Sequence, residues 1–377
     1  MYYEKLADKY HILKYMMLIL LALFVLLTLF FGYRSMRIVN LKYLVKTLAI
    51  NPVSLGAQYH DISYSAGGGV DFTLYKNDLA VIGDGKTALY DLSGNLRFRD
   101  SLKSSGEAFA ASEKYLAVYT PGAKYLSVYD SFSCVYTENL RAPISYVALS
   151  DSGRMAVCVK KEKHAEITVY RSDFSKEIAF TVENGMVFDM DFSMSGDKLA
   201  VTSLATSGGA YYTELTLWDV SSEKIVSSEK IMGKKPIETG FFADGRFFAA
   251  VQGTVFFYQS GGKKTETVSL SSAEYAVLCD GAALTVIEDL SLISSYSSRG
   301  NKREEFRLTD KIFSVKKRNG LYYTLSGGEI ALYAENGEKL SASSVMTGVL
   351  DFFILPDGSV LLCYVSETER LVFDFCN

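Results

Sequence analysis

Most of the chain alternates short apolar stretches with polar turns at a regular spacing. Eight of the apolar stretches end in an aromatic residue, and several of these are followed by Asp. The aromatic residues are Tyr90, Tyr129, Tyr170, Trp218, Tyr258, Tyr296, Tyr333 and Phe373. They are separated by 39, 41, 48, 40, 38, 37 and 40 residues. A period near forty residues is typical of repeat architectures in which each repeat is one supersecondary unit.

The segments between these aromatic residues read as short strands joined by tight turns, because Asp, Asn, Ser and Gly cluster between apolar runs. The turns are Asp151-Ser152-Gly153, Ser195-Gly196-Asp197, Asp244-Gly245, Asp280-Gly281, Asn319-Gly320 and Asp357-Gly358. A forty-residue unit of four short strands is the size of a propeller blade. The sequence therefore predicts an all-β propeller of about eight four-stranded blades over residues 58–377, with seven blades as the alternative.

The last repeat is too short to contain its outermost strand, since four residues follow Phe373. The alternating stretch from His60 to Ser65 stands just before the first full repeat. We predict that this N-terminal strand completes the last blade, which would leave no open sheet edge.

The N-terminal part of the chain has a different pattern. Residues 15–33 are nineteen consecutive uncharged residues between Lys14 and Arg34, with Tyr at both ends. A helix of this length is about 28 Å long, close to the ~30 Å thickness of the hydrocarbon layer of a membrane. We predict a retained transmembrane helix, a signal anchor, because a cleaved signal peptide has a shorter apolar region followed by small residues.

The flanking segments complete the predicted organisation: residues 1–14 are cytoplasmic, and residues 34–57 are a stalk helix and linker. The stalk is indicated by Leu41, Leu44, Val45 and Leu48 at helical spacing before Pro52. Three Lys precede the span and four Lys or Arg follow it closely, so the positive-inside rule gives no clear orientation. We expect the propeller to be extracytoplasmic, since long domains cross largely regardless of charge.

One blade ending carries a family resemblance. The segment from Leu217 to Val220, with Trp218-Asp219 at its centre, resembles the tryptophan-aspartate ending of WD-repeat blades, within the WD-repeat and quinoprotein-like propeller superfamily. The layout of one anchor followed by a propeller is similar to an uncharacterised bacterial family of membrane-tethered propellers. These resemblances imply a fold rather than an activity. The chain has a single Trp, so it lacks the repeated Trp of quinoprotein dehydrogenases, and no cofactor is expected.

Charge and cysteine content narrow the possible functions. The first 50 residues carry seven of the 39 Lys and Arg but two of the 43 Asp and Glu, so the remainder is more acidic than the net charge of −4 indicates. A nucleic-acid partner is therefore not expected. The cysteines are odd in number, widely spaced and without a CxxC pair, which predicts neither disulfides nor a zinc site. They are Cys134, Cys158, Cys279, Cys363 and Cys376.

Few motifs point to catalysis. His11, His60 and His164 are far apart in the sequence and suggest no triad or metal site. The stretch from Gly83 to Thr87 partly resembles a phosphate-binding loop, but it lies between predicted strands, so a hairpin turn is the better interpretation.

Two acidic residues are candidates for a site. Asp189-x-Asp191 resembles the start of a calcium loop without its turn-making Gly, and alternation places both side chains on one face of a strand. If this strand lines the central channel, these residues, with Asp71 and Asp351 at similar places in their blades, would form an acidic channel that binds a cation. Solvated carboxylates without a ligand are the alternative.

The longest repeat contains an additional segment, residues 203–212, that ends in Tyr211-Tyr212. We predict a flexible loop whose tyrosines contact a protein or sugar partner, because recognition residues often lie on loops of a rigid scaffold. The alternative is a passive insertion whose tyrosines begin the next strand.

Two functions follow. The first is a membrane-anchored extracytoplasmic propeller that acts as a protein-binding scaffold or sensor in a cell-envelope complex, with another envelope protein as partner and no metal. The alternative is an extracytoplasmic enzyme that acts on a glycan or peptide through carboxylates at the channel mouth. Two or three close carboxylates in a deep pocket would favour the enzyme, and a flat aromatic face would favour the scaffold.

Overall fold

The computed structural model describes residues 16–20, 22–23, 61–64, 69–102, 108–131, 133–183 and 185–373. The chain divides between Ala57 and Gln58. Of the predicted transmembrane segment 15–33, residues 16–20 and 22–23 are described and helical. Within the described ranges, no helix has the length and apolar character needed to cross a membrane. The predicted segments 1–14 and 34–57 lie outside the described residues.

The described part of the propeller consists of eight antiparallel sheets, which we call blades 1 to 8. Blade 1 consists of β1 (Asp71–Tyr75), β2 (Asp78–Gly83), β3 (Lys86–Tyr90) and β4 (Leu96–Ser101), and blade 2 of β5 (Ala108–Ala111), β6 (Leu116–Tyr119), β7 (Tyr125–Tyr129) and β8 (Cys134–Asn139). Blade 3 consists of β9 (Ile144–Leu149), β10 (Met155–Lys160), β11 (His164–Tyr170) and β12 (Lys176–Glu183), and blade 4 of β13 (Gly185–Phe192), β14 (Lys198–Ser207), β15 (Ala210–Asp219) and β16 (Lys224–Met232).

Blades 5 to 8 continue in the same way. Blade 5 consists of β17 (Pro236–Phe241), β18 (Phe247–Val251), β19 (Thr254–Tyr258) and β20 (Lys264–Ser269), and blade 6 of β21 (Tyr275–Cys279), β22 (Ala283–Glu288), β23 (Leu292–Ser297) and β24 (Lys302–Arg307). Blade 7 consists of β25 (Ser314–Arg318), β26 (Leu321–Leu325), β27 (Glu329–Tyr333) and β28 (Lys339–Ser344), and blade 8 of β29 (Asp351–Ile354), β30 (Val360–Cys363) and β31 (Thr368–Leu371).

Within each blade, every strand pairs with the next one in the sequence, and the first strands of consecutive blades contact one another. The first strands therefore line the centre of the ring and the fourth strands lie outermost. The prediction of eight antiparallel blades is confirmed, and the seven-blade alternative is wrong. Seven blades have four strands and blade 8 has three among the described residues.

The repeated aromatic residue lies at or next to the end of the third strand in blades 1 to 7, where the pairing with the fourth strand changes register. In blade 1, Leu89 pairs with Phe98 and Tyr90 pairs with Leu96, so Arg97 is the additional residue of a bulge. The forty-residue period thus marks one packing position and one bulge in each of these blades.

Apolar side chains fill the spaces between neighbouring blades. Between blades 1 and 2, for example, Ala80 and Leu89 pack with Tyr129. Blade 8 packs on blade 1 in the same way, because Phe353 of β29 shares a buried cluster with Phe72 of β1. Burial of these layers supplies most of the stabilisation of the ring.

Residues 61–64 lie beside the outermost described strand of blade 8. Ser63 forms an isolated bridge with Glu367. The backbone N–H of Tyr64 donates to the carbonyl of Ser366, and that of Thr368 donates to the carbonyl of Ile62, both at 2.9 Å. Ile62 and Tyr64 are buried in the cluster that blades 8 and 1 share. These four residues form one bridge rather than a strand, and residues 60 and 65 of the predicted closing strand lie outside the described residues.

The antiparallel order divides the turns between two faces of the ring. The connection face carries the turns between second and third strands and the connections from blade to blade. The opposite face carries the turns between first and second strands and between third and fourth strands. All six turns predicted from Asp, Asn, Ser and Gly lie on the opposite face, and each contains a Gly with positive φ.

Three further predictions fall on described residues. The stretch from Gly83 to Thr87 is the hairpin turn between β2 and β3, as predicted, with φ of 55° at Asp84 and 68° at Gly85. His164 begins β11 after a short turn. No disulfide joins the described cysteines, which run from Cys134 to Cys363, and Cys376 lies outside the described residues.

Candidate functional site

A cavity of about 620 Å³ opens between the first strands of blades 3 to 6. Three carboxylates line it, those of Asp189, Asp191 and Glu238. Tyr146 of β9 and Cys279 of β21 also contribute to the wall. We call it the acidic cavity. Asp189 and Asp191 lie on the first strand of blade 4, and both line this cavity.

The register of the blades explains why these side chains meet. The first strand of each blade ends in a residue that forms its last backbone pair with the second strand. Three residues before that position stand Tyr146 in blade 3, Asp189 in blade 4 and Glu238 in blade 5. Those last pairs are Leu149–Met155, Phe192–Leu199 and Phe241–Phe247. The register also shifts immediately before Asp189 and Glu238, and a bulge at such a place re-aims the side chain that follows it.

The two aspartates connect blade 4 to blade 5. Asp189 Oδ2 accepts a hydrogen bond of 2.7 Å from the backbone N–H of Thr239, and Asp191 Oδ2 accepts one of 2.9 Å from Phe241. Asp189 Oδ1 also accepts from the backbone N–H of Met190 at 2.9 Å, and its carboxylate is hydrogen-bonded to Tyr146. The carboxylates therefore satisfy donors along the free edge of β17.

Gly240 allows this close approach. A Cβ placed on Gly240 would lie 2.8 Å from Cε1 of Phe248 and 3.6 Å from Oδ2 of Asp191. Phe248 is fully buried, so its ring has little room to move away. The absence of a side chain at this position lets the Phe248 ring and the Asp191 carboxylate both approach the space that a Cβ would take.

Burial changes the proton affinities of the cavity. Desolvation, followed by the negative charges of Asp189 and Asp191, raises the pKa of Glu238 to about 7. Desolvation likewise raises the pKa of Asp191 to about 7, although hydrogen bonds from backbone N–H groups act in the opposite direction. Burial, with the charge of Asp189, raises the pKa of Tyr146 well above its ordinary value.

The cavity can therefore exchange protons close to neutral pH through Asp191 and Glu238. A thiol nucleophile is disfavoured, because burial raises the pKa of Cys279 to about 11. Over the part of the chain that the structure describes, no group of three His, Cys, Asp or Glu side chains is arranged to hold a metal ion.

The other two predicted channel carboxylates do not join this cluster. Asp351 begins β29 and forms an ion pair of 2.9 Å with Lys316 of the neighbouring first strand. Asp71 is exposed at the start of β1, where its Oδ1 accepts from the backbone N–H of Phe72 at 2.8 Å. The structure thus brings together Asp189 and Asp191 with Glu238, and it places Asp71 and Asp351 elsewhere.

The predicted loop at residues 203–212 is instead part of a long hairpin. Strands β14 and β15 are ten residues each, and they pair up to Ser207 and Ala210 around Gly208 and Gly209. Both glycines have positive φ, 59° and 84°, as a two-residue turn requires. The alternative of tyrosines that begin the next strand is confirmed, because the insertion lengthens existing pairing.

The two tyrosines of this hairpin have different environments. Tyr212 is 6% exposed, and the Lys230 ammonium lies 5.0 Å from its ring centroid. Tyr211 is 37% exposed next to the turn. Only Tyr211 is thus placed to contact a partner.

The connection face exposes an unusual number of large apolar side chains. Of the fifteen exposed large apolar residues in the described propeller, nine lie nearer this face and six lie nearer the opposite face. The nine are Met186, Phe188, Tyr211, Met232, Leu290, Phe313, Met346, Leu350 and Val365. Exposed apolar side chains that gather on one face mark an interaction surface more often than scattered ones do.

Three of these side chains, including the two most exposed, border a groove between blades 7 and 8. Phe313 is 71% exposed, Met346 63% and Leu350 51%. They line a cavity of about 280 Å³ with Gly327 and Gly328, and no charged residue contributes to its wall. We call it the uncharged groove.

The opposite face has a different character. Its turns are closed by side chains of Asp and Ser that accept hydrogen bonds from backbone N–H groups. The acceptors include Asp91, Asp130, Ser150, Asp173, Ser193, Asp219, Asp244, Asp280 and Asp357. The exposed large apolar residues nearer this face are Leu96, Met194, Ile225, Val226, Leu340 and Val372. The two faces therefore differ in chemistry as well as in connectivity.

Sequence reasoning missed Glu238 and the apolar connection face. Glu238 could have been found by aligning Asp189 with the corresponding position of the next repeat. The exposed apolar residues carry no such signal, because single apolar residues between strands are common in any sequence.

Comparisons with known proteins agree with this fold. A family model described as a family of unknown function, DUF5711, matches residues 57–372. No curated protein matches the chain by sequence.

Several solved structures have the same fold. The C-terminal WD40 domain of Sif2 has a TM-score of 0.61 and 12% identity over 84% of this chain and 97% of its own. BamB from Moraxella catarrhalis has a TM-score of 0.58 and 9% identity over 83% of this chain and 98% of its own. Saccharomyces cerevisiae Sqt1 has a TM-score of 0.59 and 10% identity over 84% of this chain and 98% of its own. At these identities, the similarity concerns the fold alone.

Proposed function

The chain belongs to the DUF5711 family, whose function is unknown, and we propose that it is a membrane-anchored scaffold whose propeller binds another protein through the connection face. The observation that carries this proposal is the grouping of three exposed apolar side chains, those of Phe313, Met346 and Leu350, around the uncharged groove of the connection face. An eight-bladed ring is rigid, so it can present such a face without reorganisation on binding. The partner is a protein with an apolar surface, since the uncharged groove offers no cation to a polyanion.

The binding proposal is tested with the full-length protein in the cells that produce it. A photoreactive residue at position 313 or 346 should crosslink a partner, which mass spectrometry then identifies. Co-purification of that partner should fall about tenfold with Phe313→Ser and Met346→Ser combined. Met194→Ser, at an exposed position on the opposite face, is the matched control. Equal recovery with both variants would disprove the role of the connection face.

The anchoring part of the proposal is supported by residues 15–33 of the sequence, with the N-terminus inside and the propeller in a cell-envelope complex outside. Protease added to intact cells should digest the propeller, and protein lacking residues 15–33 should no longer remain with membranes after alkaline extraction. A propeller that stays intact while an exported control protein is digested would overturn the orientation.

The N-terminal segment 60–65 supplies the outermost strand of blade 8 in this proposal. The bridge between Ser63 and Glu367 and the burial of Ile62 between blades 8 and 1 support it. Closure of this kind ties the first strand of the domain to the last and protects an open sheet edge.

A second candidate function is hydrolysis of a glycan or peptide in the acidic cavity. Three carboxylates in one cavity, two of them with pKa values near 7, are the observation that favours it. The hydrogen bonds from β17 hold one oxygen of each aspartate, so Glu238 is assigned as the acid and Asp191 as the base that would activate a water molecule. Glycan and peptide arrays incubated with the protein should show products that Glu238→Gln abolishes and exposed Glu274→Gln retains; no product on either array excludes this function.

A further inference from the structure

A second large cavity, of about 710 Å³, opens on the connection face between blades 3 and 4. One wall is the turn between β10 and β11, and the other is the start of β13. We call it the basic pocket. It is separate from the uncharged groove, which lies between blades 7 and 8.

The walls of this pocket carry a local excess of positive charge. Lys160, Lys161 and Lys163 line it together with a single acidic residue, Glu162. Lys161 is paired with Glu166, whereas Lys160 and Lys163 are exposed and take part in no ion pair among the described residues. A basic site on an otherwise acidic chain attracts carboxylates and disfavours cationic partners.

The pocket is apolar on its other side. Met186 is 50% exposed and Phe188 is 43% exposed, and both line the cavity. Phe188 is the residue that the bulge of β13 leaves without a partner in β14. Its side chain lines both this pocket and the acidic cavity.

Backbone hydrogen bonds hold the pocket in its open form. The N–H of Lys160 donates to the carbonyl of Pro143 at 2.8 Å, and the N–H of Lys161 donates to the carbonyl of His164 at 2.9 Å. The lysine-bearing turn is thus fixed both internally and to the connection before β9. A preformed site binds with a smaller loss of conformational entropy than a flexible loop does.

We propose that the basic pocket binds an acidic segment of a partner protein, with one large apolar side chain against Met186 and Phe188 and carboxylates beside Lys160 and Lys163. The proposal rests on the proposed function, because it names the chemistry of the partner at one part of the same face. A nucleic acid fits less well, since two exposed lysines release few counterions and the chain is acidic overall.

The test measures fluorescence anisotropy of three labelled twelve-residue peptides with the full-length protein in detergent. The first peptide is acidic with a central Phe, the second has Ser in place of that Phe, and the third has Lys in place of every Asp and Glu. The first should bind about tenfold more tightly than the other two, and added salt should weaken it. Equal binding of the three peptides, or tighter binding of a labelled single-stranded oligonucleotide, would overturn the proposal.

Variants then locate the binding site. Lys160→Glu with Lys163→Glu should weaken the acidic peptide about fivefold or more, and so should Met186→Ser. The matched control for the lysine variant is Lys263→Glu with Arg299→Glu, and the matched control for Met186→Ser is Met194→Ser. All three control positions are exposed on the opposite face. Circular dichroism confirms that each variant is folded. Unchanged affinity in the folded lysine variant would contradict the assignment.

The same variants separate this proposal from the proposed function. If Phe313→Ser with Met346→Ser abolishes recovery of the crosslinked partner and the lysine variant does not, the scaffold function stands and the basic pocket does not take part. If neither variant affects recovery, both proposals fail.

Discussion

The carboxylate of Asp191 accepts a hydrogen bond of 2.9 Å from the backbone N–H of Phe241, fifty residues further along the chain. Together with the bond from Thr239 to Asp189, it joins the first strand of blade 4 to that of blade 5. At this junction, side-chain carboxylates accept the hydrogen bonds that backbone carbonyls accept within a blade. The seam between blades 4 and 5 therefore combines these carboxylate hydrogen bonds with an apolar layer, in which Leu217 of blade 4 packs with Phe247 and Tyr258 of blade 5.

Glu238 should make stability dependent on pH. Its pKa in the folded protein is about 7, above the ordinary value of 4.5, so its contribution is fully present below about pH 4.5 and is lost as the pH rises through 7. We expect Glu238→Gln to raise the free energy of unfolding at pH 8 by up to about 3 kcal/mol and to change it little at pH 5. Urea denaturation of the full-length protein at both pH values measures this, with Glu274→Gln as control.

Fluorescence of the single tryptophan can report these transitions, because Trp218 stacks on Phe180 with ring centroids 4.0 Å apart. A difference between Glu238→Gln and the wild type that is the same at pH 5 and pH 8 would contradict the assigned proton affinity.

Gly240→Ala should destabilise the seam between blades 4 and 5. The added methyl group would lie 2.8 Å from the buried ring of Phe248, and overpacking of this kind costs about 1–3 kcal/mol. Thermal unfolding of the full-length protein measures the loss. Gly261→Ala is the matched control, because nothing lies within 4 Å of its Cβ position. Equal melting temperatures for the two variants would show that β17 shifts freely.

Tyr212→Ala should cost about 2–4 kcal/mol of stability, because Tyr212 is 6% exposed and large-to-small changes of buried side chains create cavities. Tyr211→Ala, at a 37% exposed position of the same strand, should cost less than about 1 kcal/mol. Urea denaturation of both variants makes the comparison. A partner-binding test of this hairpin should accordingly use Tyr211→Ala. A larger loss of stability in Tyr211→Ala than in Tyr212→Ala would contradict the burial of Tyr212.

Ile62→Ala should weaken the junction of blades 8 and 1 by about 2–4 kcal/mol, since Ile62 is 1% exposed in the cluster that the two blades share. Ser63→Ala is the control, because this neighbouring side chain is exposed. Thermal unfolding of the full-length protein measures both. If the two variants unfold at the same temperature, residues 61–64 do not contribute to the junction.

The repeated features of the fold could be predicted from sequence because each blade obeys the same local rules. The aromatic residues from Tyr90 to Tyr333 recur at one packing position, and the Asp-Gly turns recur on one face. Periodicity also placed Asp189 and Asp191 on one face of a strand. It did not predict that the segment after Ser203 would extend pairing, because a Gly-Gly turn and a flexible Gly-rich loop have the same composition.

The candidate sites were less predictable because they depend on contacts between blades. Glu238 reaches Asp189 and Asp191 only because the bulges in β13 and β17 set both registers, and a bulge has no clear sequence signature. Asp351 has the same spacing from the end of its strand, yet Lys316 neutralises it. Which of several equivalent carboxylates form a cluster is decided by neighbours that are distant in sequence.

The bulge that accompanies the aromatic residue has a consequence for self-association. In blades 1 to 7 the additional residue lies in the outermost strand, as Arg97 does in β4 and Arg303 does in β24. An irregular edge strand with charged residues is a poor template for addition of a strand from another molecule. The rim of blades 1 to 7 is thus protected against edge-to-edge aggregation, and crowded copies would come into contact without fusing their sheets.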